Sequence, residues 1–182
     1  MGIAKAIHLY AQDHDGKFPE GLTSSNQAFR QLFPDYIEDE KLFFVPASAW
    51  HNAAPSRRSD DNIGVKPDYA QCLEKGENHW AYVSGLSTSS PPHTPLIADG
   101  FIANQPGTYV GDPRKKGGRW ADWSWRAHTP IVILAGGVAE FIKINKRTGY
   151  RVLWEKPGSG QKVDIFTREG GLPENAQVLN PE

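Results

Sequence analysis

This chain has little that would staple, anchor or arm it. A single cysteine, Cys72, stands among 182 residues, which excludes an intramolecular disulfide and a cysteine-rich zinc site. Its sequence neighbours Tyr69, Glu74 and Glu77 raise a thiol pKa rather than lower it, so Cys72 reads as buried or inert rather than nucleophilic. No stretch reaches the roughly 20 consecutive apolar residues that cross a bilayer, and no secretory signal pattern is visible. Neither sign of charge dominates. The 20 Lys and Arg face 21 Asp and Glu for a net charge of −1, which leaves no general electrostatic case for nucleic acid or an anionic membrane as partner. The local exceptions cancel or lie in loops: Arg57-Arg58 precedes Asp60-Asp61, and Arg114-Lys115-Lys116 is set among glycines. There is no G-x-S-x-G elbow and no glycine loop leading from a strand into a helix to cradle phosphate.

What is there begins with a helix. Ile3, Ala6, Ile7, Tyr10 and Ala11 recur at helical spacing on one face, while Lys5, His8 and Gln12 lie off it. Met1-Gly2 supplies neither an N-cap nor an acidic first turn, so residues 1–15 read as the C-terminal half of a longer helix whose beginning has been removed. As given, the chain is expected to be soluble. Asp13-His14-Asp15-Gly16-Lys17-Phe18-Pro19 ends the helix, with Gly16 free to adopt the left-handed conformation and Pro19 blocking continuation. Ser24 or Ser25 can cap a short helix over 27–33 whose Phe29, Leu32 and Phe33 share a face. Residues 42–46, Leu-Phe-Phe-Val-Pro, read as strand-like, and the polar segment that follows to about Asn78 reads as a long loop with a brief helix over 68–75.

From His79 the hydrophobic period changes from helical to two. Strands are expected at 80–84, 95–102, 130–135 and 138–144, with a fifth at 150–154. Gly136-Gly137 joins two of them as a two-residue hairpin, since both glycines tolerate positive φ. The segment 155–182 reads as an irregular tail with one strand-like run at 163–166. Helix first and strands afterwards makes the expected class α+β, one domain with an antiparallel sheet over 79–154.

Few residues ask for chemistry. Asp13-His14-Asp15-Gly16 echoes the opening of a calcium loop, but the position that needs a bidentate Glu is Ser24. Asp60-Asp61-Asn62 and Asp112 offer loop oxygens without defining a site. The six histidines, His8, His14, His51, His79, His93 and His128, include no i, i+4 pair and no H-x-H pair. His128 beside Asp99 or Asp122 would form an acid-base pair for a metal-assisted hydrolase, the most distant reading. Trp120, Trp123 and Trp125 form the densest aromatic run; exposed, they would stack on a sugar or anchor a partner protein, and buried, they would fill the core. The expectation is no catalysis, no cofactor and no metal.

The order of segments carries a resemblance. The helix ending Leu9-Tyr10-Ala11-Gln12-Asp13-His14-Asp15-Gly16-Lys17-Phe18-Pro19, then Phe43-Phe44-Val45-Pro46, Trp80-Ala81-Tyr82-Val83, Pro95-Leu96-Ile97-Ala98-Asp99 and residues 131–141 resembles bacterial type IV pilin-like proteins. More narrowly it is similar to the type II secretion G-like pseudopilins, in their extended planctomycete and verrucomicrobial form. The resemblance implies an N-terminal hydrophobic half-helix, cleaved and methylated by a prepilin peptidase, that anchors the subunit in the inner membrane and later packs in the fibre core. This domain would then lie in the periplasm or in a fibre, with other pilin subunits and the secretion machinery as partners. Ile3, Ile7 and Tyr10 would carry the helix-to-sheet or assembly packing. The chain departs from such relatives in having Val45 where a Cys is common, and Ala135-Gly136-Gly137-Val138 where an Asp-Gly-His turn is common. The second function class is a secreted glycan- or protein-binding module built on Trp120, Trp123 and Trp125.

Overall fold

The computed structural model describes residues 2–45, 59–60, 62–65, 69–101, 107–109, 130–144, 151–155 and 158–182. Helix α1 (Gly2–Asp13) buries Ile3, Ala4, Ala6, Ile7 and Ala11. Tyr10 is half-buried at the margin of that face. The helix stops as expected. The N–H of Gly16 donates to Ala11 O at 2.8 Å, with Asp15 and Gly16 both at positive φ, the left-handed ending that satisfies an orphan carbonyl. Helix α2 (Ser25–Arg30) starts two residues earlier than its pattern suggests. Ser24 is the N-cap, its side chain accepting from Gln27 N. Phe29, Leu32 and Phe33 are all buried.

Among the described residues seven strands follow: β1 (Trp80–Ser84), β2 (Pro95–Asp99), β3 (Ile131–Leu134), β4 (Ala139–Phe141), β5 (Leu153–Glu155), β6 (Lys162–Asp164) and β7 (Gln177–Leu179). Five of them form one antiparallel sheet in the order β4-β3-β2-β1-β7, and β5 pairs with β6 separately. The fold is therefore α+β. Register aligns Ala139, Ile133, Ile97, Tyr82 and Leu179 in one row across the main sheet, and residues opposite one another in a ladder share a face. Phe29 of α2 packs on this row, its ring centroid 5.1 Å from that of Tyr82. The alternate residues Ala81, Val83, Ala98 and Val132 are buried as well, so the sheet is covered on both faces rather than half solvated. Val152, Ile165, Phe166 and Leu172 join the same core as the helices.

The structure also corrects the sequence reading of several segments. The described residues of 42–46 are not a strand: Glu40–Phe43 form a 3-10 turn, because the Asp39 carboxylate accepts from Lys41 N at 2.8 Å and starts a helical turn. The described residues of 68–75 form turns, not a helix. Tyr69 and Leu73 take positive φ, and the carbonyls of Cys72 and Leu73 accept from the Arg30 guanidinium rather than from a following turn. The segment 155–182 is not irregular, since it holds β6 and β7, and β7 extends the main sheet beyond 154. The fifth expected strand does form at its C-terminal end, but it pairs with β6 outside the main sheet.

The β3–β4 hairpin is closed by three residues. Leu134 N donates to Val138 O and Gly137 N to Leu134 O, both at 2.8 Å. Only Gly137 takes positive φ; Gly136 is needed for a different reason, because a Cβ there would meet Pro92 Cβ at 2.9 Å.

Candidate functional site

The first candidate surface is the outer side of α1. Ile3 and Ile7 are buried in the core. Tyr10 turns towards α2 and the loop after it: its hydroxyl donates to Gln31 Oε1 at 3.0 Å, and its ring stacks on His14 with centroids 3.7 Å apart. The stripe left outside includes Gly2, Lys5 and Leu9. A groove along one flank is lined by Lys5, Leu9, Pro34, Tyr36 and Leu42, where Leu9 is 38% and Leu42 44% exposed. A second groove runs between α1 and the β3–β4 hairpin, lined by Ala4, Lys5, His8, Ile133 and Ala139. Beyond it the hairpin exposes Val138 at 57% and Phe141 at 71%. The helix is thus flanked on both sides by apolar side chains open to a partner.

Other candidates resolve into structural roles. Asp13 accepts from the Tyr36 hydroxyl at 2.9 Å, and His14 Nδ1 lies 2.7 Å from Tyr10 O, so these residues fasten the helix end to the loop beyond α2. His8 packs edge-on against Phe18, and the buried His79 holds its Nδ1 against the backbone of Val45. Cys72 is buried, and burial together with the neighbouring Glu40 pushes its thiol far up, which keeps it protonated and unreactive. Trp120, Trp123 and Trp125 lie outside the described residues, as do Asp61, Asp112, Asp122 and His128.

Asp99 ends β2, while the His128 expected beside it lies outside the described residues. Its Oδ2 accepts from Ile131 N at 3.1 Å, while Oδ1 is buried with no hydrogen-bond partner. Burial, partly offset by the Ile131 N–H, pushes its carboxyl up to about 6 from an ordinary 3.8. The folded protein therefore ionises Asp99 later than the unfolded chain does. Stability falls as pH rises from about 4 to about 6, and the cost is fully present above that. At 1.36 kcal/mol per pKa unit this amounts to about 3 kcal/mol. Asp99→Asn keeps an oxygen for the Ile131 N–H and carries no charge. In urea melts from pH 4 to pH 7 the variant should gain about 3 kcal/mol on the wild type, and parallel profiles would show that Asp99 ionises normally.

One acidic cluster does assemble. Asp60, Glu74 and Glu77 bring one carboxylate oxygen each to within 4.8 Å of the others, the only such group of three among the described residues. Asp60 was visible in the sequence as a loop oxygen. Glu74 and Glu77 were not, because the turn that gathers them depends on the left-handed Leu73 rather than on a motif.

No protein-family model matches the chain, and searches of curated proteins and of solved structures find no match either.

Proposed function

We propose that this chain is the membrane-distal domain of a type IV pilin-like subunit, of the G-like pseudopilin kind, and that it assembles through α1 into a secretion pseudopilus or a pilus-like fibre. The observation that carries the reading is α1 itself. It buries one face in a core shared with an antiparallel sheet, and leaves its other side between two grooves edged by exposed Leu9, Leu42, Val138 and Phe141. A helix so placed has one side for its own domain and one for its neighbours. The order of segments that resembles the pseudopilins supports the same reading, with an inner-membrane anchor preceding Ile3, the sheet in the periplasm or the fibre, and no catalysis.

The test is the intact mass and N-terminal sequence of the mature protein isolated from its native membranes. The expected result is a methylated residue opening an apolar helix of about 20 residues that runs into Ile3. A mature end at Met1 would overturn the proposal and leave a free module.

A further inference from the structure

We infer that the β3–β4 hairpin of one copy of this chain docks in the groove between α1 and residues 34–42 of a second copy, so that copies join head to tail. The hairpin supplies the knob. Its strand β4 is an edge of the main sheet, and Phe141 stands opposite Ile131 on the face that carries Ala139 and Ile133. Beyond Phe141 the chain keeps alternating: Ile142 is half-buried and Ile144 buried, whereas Phe141 and Lys143 are exposed. The outward set is therefore Val138, Phe141 and Lys143, two apolar side chains with a cation beside them. Glu140 lies on the other face of the strand, opposite Val132. An exposed aromatic ring on a sheet edge invites association, and aromatic rings are the usual anchors of interfaces.

The groove on the far flank of α1 supplies the socket, and its charge is of the opposite sign. Its apolar part is Leu9, Pro34 and Leu42, and its rim carries Asp35, Glu38 and Asp39, all three exposed. Asp39 is occupied with Lys41 N. Among the described residues no ion pair holds Asp35, Glu38 or Lys143 within the chain. Lys5 borders both grooves, and the acids outnumber it on this side. Phe141 entering between Leu9 and Leu42 would bring Lys143 towards the acidic rim, so apolar and charged parts match at once. That match is what makes a second copy the occupant. Knob and socket are different surfaces on opposite flanks of one helix, so each copy can use both. Such a heterologous contact extends into a filament or ring rather than closing as a symmetric dimer.

The choice of partner rests on the assembly reading, in which anchored neighbours raise the effective concentration of a weak contact. The experiment uses the full chain and a short bismaleimide, with the buried Cys72 leaving the introduced thiols as the reactive ones. Leu9→Cys mixed with Val138→Cys should give at least ten times the cross-linked dimer of either variant alone. Glu38→Lys in the first chain should cut that yield at least fivefold, and Lys143→Glu in the second should restore it. No cross-link in the mixture would overturn the inference. So would equal yields from one variant alone, which mark a symmetric contact, or failure of the reversed pair to restore the yield. The outcome is separable from that of the N-terminal test: a methylated, anchored subunit without this cross-link loses the contact and keeps the assembly reading.

Discussion

Replacing Phe29 with alanine should remove about 3–5 kcal/mol from the unfolding free energy, the range for truncating a fully buried aromatic ring. Phe29 is the point where three elements meet. It belongs to α2, its ring centroid lies 5.1 Å from Phe43 of the 3-10 turn, and another 5.1 Å contact joins it to Tyr82 of β1. The ring is wholly buried, so its loss leaves a cavity between helix and sheet that neither can close alone. Urea melts should show a lower midpoint at unchanged slope. Phe141→Ala is the control. That ring is 71% exposed, and its truncation should stay within about 0.5 kcal/mol of wild type. Equal losses in the two variants would refute the placement of the core.

Gly85→Ala should cost about 3 kcal/mol or more, the sum of left-handed strain and overpacking. Gly85 has φ +82, and a Cβ on it would overlap the carbonyl oxygen of Asn175 and approach Ala176 Cα at 3.3 Å. The Asn175 side chain in turn donates to Gly85 O at 2.6 Å. The damage therefore falls on the approach of β7 to β1. Amide exchange at Gln177–Leu179 should accelerate before exchange at β2 does. Gly137 separates the two effects. It has nearly the same φ, +81, with nothing within 4 Å of an added Cβ, so Gly137→Ala should cost only the conformational part, about 1–2 kcal/mol. If both alanines cost the same, the close packing at Gly85 is not real.

These contrasts show where sequence is a good guide to this protein. The end of α1 was legible because Gly16 and Pro19 act on the backbone locally, and β1 because a short apolar run lies between clear turn signals. The β3–β4 turn was legible as a turn, but its two glycines looked equivalent. Only the fold shows that one supplies a dihedral angle and the other clears space for Pro92. Local pattern failed where a neighbouring cap or a distant strand decides. Phe43 and Phe44 have strand-like side chains, yet the Asp39 carboxylate two residues before Lys41 bends the chain into a helical turn. Gln177-Val178-Leu179 is too short to display a period, and it becomes a strand because the edge of β1 is there to receive it.

The acidic cluster was illegible for a related reason. Asp60 is far from Glu74 and Glu77 in sequence, with no spacing to connect them. What shapes the chain before Glu74 is the turn at Leu73, whose N–H is taken by Glu40 and whose carbonyl is taken by Asn26 and Arg30. A motif search looks along the chain, whereas this arrangement is made across it. The outer stripe of α1 lies between these extremes. Its helical spacing was readable from residue types, but the side on which Tyr10 falls was not, because that depended on Gln31, Tyr36 and His14.

The pairing of β1 with β7 also has a consequence in time. Translation yields β1 early, but the strand that borders Tyr82–Ser84 spans Gln177–Leu179. Until that segment has left the ribosome, β1 presents unmet N–H and C=O groups along one edge, and closing the gap means joining two strands across all of the chain that holds β2 to β6. The nascent chain is thus obliged to wait with an open sheet, a state that a chaperone can hold and that a prematurely terminated product can never leave.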